Sequence, residues 1–258
     1  HRVDRRQRQM CIRDSIHRVS FSPLTNAGKV CVDVFEIFAK DYQRFIMCLN
    51  PLITSKLILG TKIAVCGKGV SLGGIFCPPN KNLIGVINAF SIAGIFLKNG
   101  IYLTPRLGVL VEFNNFKPIS LLESIDYNNC SFDPLELFLN AKMLDMESFA
   151  TKGNGIIAAS LMDFPSAIYN LALSVLHSIN EIFPSNILTV GKPDMPFLGF
   201  YTGPNRTSIL IPSGLNALVL VKKAGIEFIV QPSIDDFAVF SDFKDIAASI
   251  RSRFQYIE

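Results

Sequence analysis

The stretch LIGVINAFSIAGIFLKNGIYLTPRLGVLVEF, residues 83–113, decides the fold. It carries no charged residue over positions 83–97. Its opening, Leu83-Ile84-Gly85-Val86-Ile87, has the continuous apolar character of a buried strand. Beyond Asn88 the period changes. Ile92, Ile95 and Phe96 lie at helical spacing, and Ser91 is placed to cap that helix by accepting from open first-turn N–H groups. Asn99-Gly100 ends it, since Gly takes the left-handed position after a helix at little cost. Residues 107–113 then predict a second strand, after Pro105-Arg106. Strand, helix, strand on an apolar background is the pattern of a helix packed on a sheet.

Working outward, residues 28–38 alternate, with Val30, Val32 and Val34 on one side and Cys31, Asp33 and Phe35 on the other. That predicts a strand with one buried face. Residues 39–49 predict a helix that Asn50-Pro51 stops, and residues 62–66 a short strand. GKGVSLGG, residues 67–74, lacks the ending of a phosphate loop and is read as a turn. The second half repeats the order. Residues 155–162 predict a strand, and Asp163-Phe164-Pro165 opens a helix to residue 183 with Ile168, Ala172, Val175 and Ile179 on its apolar face. Strands are predicted over 186–190, 207–211 and 226–230. Between the last two, Ser213-Gly214 opens a helix that Ala224-Gly225 closes. The halves also echo in letters, LKNGI at 97–101 and KKAGI at 222–226. The fold class that follows is α/β (α+β), two ferredoxin-like βαββαβ (α/β-plait) subdomains at about 16–147 and 148–241, with an inserted hairpin–helix segment over 114–146 and a tail over 242–258. Within the insertion, Asp133-Pro134 predicts a helix start, Asp as cap and Pro in the first turn.

Composition narrows the function. The chain is 49% apolar and 18% charged, enough to bury a sizeable core. Its longest uncharged runs, 82–97 and 164–180, fall short of the ~20 apolar residues of a membrane span. Residues 1–15, HRVDRRQRQMCIRDS, resemble a translated sequencing adapter and are set aside as non-native. Their five Arg and two Asp account for +3 of the formal charge of +4, leaving +1 and no basic footprint for nucleic acid. Cys31, Cys48, Cys66, Cys77 and Cys130 then remain, an odd number with no CxxC pair, as expected of reduced thiols in the cytoplasm. Cys130, in an Asn-Asn-Cys-Ser loop, is the candidate for reactivity. His17 and His177 fit no metal-ligand pattern, so no metal site is predicted. No GxSxG, HExxH or Cys/His pair points to an enzyme.

Ligand binding has more support. In both halves a strand runs into a helix through a small polar turn, Asn88-Ala89-Phe90-Ser91 and Pro212-Ser213-Gly214-Leu215-Asn216. Open N–H groups and a partial positive charge at such a turn suit a carboxylate. Arg106 is able to pair with a second carboxylate, and Thr151 and Asn154 in TKGNG add polar groups. Each of these residues, taken alone, is better explained by a structural turn or cap than by a ligand contact.

Six motifs in order carry a family resemblance: FLKNGI (96–101), PRLGVLVEF (105–113), LLESIDY (121–127), SFDPLELF (131–138), TKGNGIIAAS (151–160), and SGLN (213–216) followed by KKAGI. Over about residues 16–240 the chain resembles the regulatory domain of NrpR-type archaeal repressors of nitrogen-assimilation genes. The resemblance implies an effector-sensing, dimerising domain of the same α/β-plait architecture, with 2-oxoglutarate as the effector and no cofactor. It places effector binding at Ser91, Arg106, Gly108, Thr151, Asn154, Ser213, Gly214 and Asn216. It implies a cytoplasmic homodimer that reaches DNA only through a winged-helix domain, of which this chain shows no pattern, and no membrane partner. Three positions depart from the family pattern: Val109 stands where a second Gly is usual, Met162-Asp163-Phe164-Pro165 lacks an Arg, and Ala217 follows GLN in place of Pro. These departures keep open a dimerisation module that no longer binds effector; a small-molecule enzyme on the same scaffold is the other alternative, since active sites assemble from residues distant in sequence.

Overall fold

The structure, a computed structural model, describes residues 5–231 and 237–246. The chain opens with α1 (Arg5–Arg18), β1 (Lys29–Phe38), α2 (Tyr42–Thr54) and β2 (Lys62–Cys66). A small hairpin follows, β3 (Ser71–Leu72) and β4 (Ile75–Phe76), and then β5 (Lys81–Ile87) and α3 (Ala89–Lys98). The middle holds β6 (Thr104–Asn114), β7 (Lys117–Asp126), α4 (Pro134–Asn140) and α5 (Met146–Lys152). The second half runs β8 (Gly155–Pro165), α6 (Tyr169–Ile182), β9 (Thr189–Val190), β10 (Arg206–Pro212), α7 (Ala217–Lys223) and β11 (Phe228–Val230). Short strands β12 (Phe237–Val239) and β13 (Phe243–Asp245) complete it.

The strands form two antiparallel sheets, β11-β1-β5-β2-β13 with β12 also on β1, and β7-β6-β8-β10-β9. Each half does run strand, helix, strand, strand, helix, strand. The last strand of each half, however, leaves its own sheet. After α3, β6 pairs with β8 of the second sheet, and after α7, β11 pairs with β1 of the first. Each sheet therefore has the order fourth, first, third, second, with the fourth strand supplied by the other half. The division expected at 147/148 is corrected by this exchange, because backbone hydrogen bonds of both sheets cross it. The expected tail at 242 is corrected too, since β13 pairs with β2. Residues 247–258 of that tail lie outside the described residues. At the other end, α1 runs unbroken across the boundary drawn at residue 15, and Ile12 and Ile16 are buried.

The repeat is visible bond for bond. LKNGI and KKAGI are offset by 125 residues (97 to 222). In both, the helix closes in a Schellman motif: Ile101 N–H donates to Phe96 O at 3.0 Å and Gly100 N–H to Leu97 O, as Ile226 N–H does to Val221 O at 3.2 Å and Gly225 N–H to Lys222 O. Two apolar cores result, and each draws on both sheets. Consequently β1 is buried on both faces, not one, from Val30 to Ile37. Pro51 does not stop α2, which continues to Thr54 with Pro51 in its last turn. The helix opened by Asp163-Phe164-Pro165 starts later, because β8 extends through Pro165 before α6 begins at Tyr169. The predicted strand over 186–190 shortens to Thr189–Val190. Asp133 caps α4 as expected, accepting from Leu135 N–H at 2.8 Å with Pro134 in the first turn.

Candidate functional site

The two polar turns meet where the sheets join. Asn88, not Ser91, caps α3, its Oδ1 accepting from Phe90 N–H at 2.8 Å. Ser91 is three positions too deep for that role. It is fully buried, and its hydroxyl donates to Cys31 O at 2.5 Å. The second turn repeats this bonding. Ser213 Oγ accepts from Leu215 N–H at 3.1 Å. Asn216, at the position of Ser91, donates from Nδ2 to Ala158 O at 2.8 Å and accepts from Ala158 N–H at 2.9 Å. The strand exits match as well, with Asn88 N–H donating to Cys31 O and Ser213 N–H to Ala158 O, both at 3.1 Å. A Cβ on Gly214 would stand 2.7 Å from Val86 Cγ2 and 2.9 Å from Asp33 Oδ2, so only Gly lets the second turn seat on β5. Asp33, buried, takes a short bond from Asn88 Nδ2. Ser91, Ser213, Gly214 and Asn216 are thus gathered, but in a packed interior that uses their polar atoms as structural bonds.

The other predicted residues lie apart. Gly108 gives close approach, since a Cβ there would collide with Pro134 Cβ at the start of α4. Gly108→Ala is expected to cost ~1–3 kcal/mol as α4 is pushed off β6. A fall of that size in the unfolding free energy extrapolated from urea denaturation checks it; an unchanged midpoint refutes the contact. Thr151 Oγ donates to Glu147 O within its own helix. Asn154 Oδ1 accepts from Asn115 N–H at 2.8 Å and lines a cavity of about 470 Å³ with Asp145, Ser148 and Lys152.

Arg106 joins a cluster that residue spacing did not reveal. Its Nε donates to Asp163 Oδ2 at 2.7 Å, and Arg206 pairs with the other oxygen while also donating to Thr104 Oγ at 3.1 Å. The Asp163 side chain is fully buried, and those of Arg106 and Arg206 are 40% and 25% exposed. Two guanidinium groups on one carboxylate leave an excess positive charge. Beside Thr104, which Arg206 bonds, α1 leaves a cavity of only about 80 Å³, lined by Gln9, Ile12, Arg13, Tyr102, Thr104 and Tyr127. The same place in the first half carries Glu36 and Lys81, paired at 3.1 Å. There the cavity measures about 700 Å³.

The departures from the family pattern fall in the core. Val109 and Ala217 are fully buried, and the segment that lacks the Arg carries Asp163, which Arg106 and Arg206 hold. Among the thiols, Cys130 is half-buried and free, whereas burial, reinforced by neighbouring Cys77, pushes Cys66 up to about 11. Among the described residues no group of three or more His, Cys, Asp or Glu stands close enough to hold a metal ion, and no helix is long and apolar enough to cross a membrane.

The family described as NrpR regulatory domains NRD1 and 2 matches residues 9–245. The chain belongs to that family. Among curated proteins, this NrpR regulatory domain is 24% identical over 221 residues to the global nitrogen regulator NrpRI of Methanosarcina mazei. The match covers 86% of this chain and 68% of that protein. The global nitrogen regulators NrpR of Methanococcus maripaludis and Methanocaldococcus jannaschii are 24% and 22% identical over 69% and 74% of this chain. The NrpR domain spans 31% and 32% of their lengths. A crystal structure of a nitrogen repressor-like protein from Methanococcus jannaschii shares the fold, with a TM-score of 0.76 at 21% identity, over 93% of this chain and 98% of that one.

Proposed function

We propose that this NrpR domain is the signal-receiving, dimerising part of a transcriptional repressor of nitrogen-assimilation genes, and that its effector is 2-oxoglutarate. The observation that carries the reading is the extent of the family match, residues 9–245, to regulatory domains of that name. The relatives named as global nitrogen regulators support it. For the effector, support comes from Arg106 and Arg206. They share a single buried carboxylate, and Arg106 keeps 40% of its side chain exposed, so an anionic ligand would meet uncompensated positive charge. Dimerisation through the edge strand β7 fits its exposed Ile119 and Leu122 and its outer backbone, which no strand of the described residues pairs. DNA would then be reached through a separate winged-helix domain of a longer protein. Effector binding would shift the balance between two dimer arrangements, a coupling of typically ~1–3 kcal/mol.

Calorimetric titration with 2-oxoglutarate, with glutamate as control, tests the effector. The expected result is saturable heat with 2-oxoglutarate that is lost in Arg106→Ala, a loss that any glutamate heat does not share. No heat at millimolar ligand from a folded sample would sink the sensor reading. It would favour the dimerisation module, a reading that the inward-facing bonds of Ser91, Ser213 and Asn216 already support.

A further inference from the structure

The two halves place a buried acid and a partly exposed base at the same point of the repeat, yet they treat the pair differently. Asp163 and Arg206 correspond to Glu36 and Lys81, both bases shifted by the 125 residues that relate the echoes (81 to 206). Asp163 holds two guanidinium groups and is sealed. Glu36 pairs with Lys81 through one oxygen, Oε1, and lines the large cavity. Lys81 is already committed, since its Nζ also lies 3.4 Å from the centroid of the Phe38 ring. The mouth of the cavity adds a second pair, Lys222 and Glu227, both exposed. In the closed copy those positions hold Leu97 and Tyr102 (97 to 222, 102 to 227). Those two positions are therefore charged only in the copy with the large cavity, whereas the small one has Arg13 of α1 in its lining. The remaining polar lining is Asn140 at the end of α4, and the walls are apolar, with Phe38, Ile226 and Phe228 among them.

We propose that this cavity binds a free α-amino acid, its ammonium group on Glu36 and its carboxylate toward Lys222. Two acids and two bases line the cavity, so the site has no net charge to attract a dianion. A ligand carrying both signs satisfies the free Glu36 oxygen and the Lys222 ammonium together. The volume lies within the ~300–1,000 Å³ usual for small-molecule sites. The inference does not rest on the 2-oxoglutarate reading, which uses Arg106 on the other sheet.

The test is a calorimetric titration of the full chain with each of the twenty L-amino acids, and with succinate and butylamine as single-sign probes. At least one amino acid is expected to bind saturably, with both single-sign probes weaker by about tenfold or more, the worth of one charged hydrogen bond. Glu36→Gln is expected to weaken that binding about tenfold, as is Lys222→Ala. Glu181→Gln, on the outer face of α6, is expected to leave it unchanged. Should Glu36→Gln fail to fold, the exposed Lys222→Ala variant decides alone. No saturable binding by any amino acid, binding indifferent to Lys222→Ala, or succinate binding as tightly as the amino acid would each overturn the proposal.

Discussion

Asp163→Ala is expected to destabilise the domain by about 3 kcal/mol, toward the lower end of the ~3–5 kcal/mol cost of breaking a buried ion pair from one side. The argument rests on what is left behind. Asp163 is fully buried and bonds Arg106 Nε at 2.7 Å and Arg206 on its other oxygen. Without it, two guanidinium groups face each other beside β6 and β10 with no carboxylate between them. The buried Arg206 Nε already lacks a hydrogen-bond partner, so the site has no spare acceptor to offer. Partial exposure of both arginines lets water recover part of the loss, which sets the lower end of the range. Urea unfolding should show a lower midpoint at unchanged slope, and thermal unfolding a fall of about 6–12 °C for a chain of this size. Glu36→Ala, at the equivalent position, should cost only ~1 kcal/mol, because it strands one base instead of two and Lys81 keeps its seat on the Phe38 ring. Equal losses in the two variants would refute the distinction between a sealed and an open copy.

That contrast also shows what the sequence discloses and what it withholds. The strand–helix–strand grammar of residues 83–113, the helix start at Asp133-Pro134 and the LKNGI/KKAGI echo are all legible, because each is set by neighbours within a few residues. The exchange of fourth strands is not. The stretches Thr104–Asn114 and Phe228–Val230 have the same local pattern whether they return to their own sheet or cross to the other. Only the pairing of β6 with β8 and of β11 with β1 decides it. The site behaves likewise. Arg106 stands out in sequence as a cation after a buried helix, but its partner Asp163 lies 57 residues on, in what reads as a helix start. Ser91 and Asn88 are both plausible caps by type. The three-residue difference matters only because β1 runs alongside and gives Ser91 a carbonyl, Cys31 O, to bond. Small polar residues at strand–helix turns suggest ligand contacts when the opposite strand is out of view, and prove to be joinery once it is present.

The joinery predicts its own cost. Asn216→Ala is expected to destabilise the domain by ~2–4 kcal/mol, combining an orphaned buried amide with the space left by the side chain. The Asn216 amide closes a two-bond ring with Ala158, accepting its N–H at 2.9 Å and donating to its carbonyl at 2.8 Å. Ala158 O keeps a second donor, Ser213 N–H at 3.1 Å, so the carbonyl survives the loss. The N–H faces the same side of β8, where β10 has already ended at Pro212, and no strand residue is left to accept it. Both residues are fully buried, so water does not step in without opening the turn. Ser91→Ala removes a single bond at the equivalent place, from a carbonyl that Asn88 N–H also serves, and should cost only ~1 kcal/mol. Hydrogen exchange separates the two variants further. The Ala158 amide should lose protection in Asn216→Ala and keep it in Ser91→Ala. Full protection of Ala158 in Asn216→Ala would mean that another acceptor takes its N–H, and the turn would then be dispensable to the second sheet.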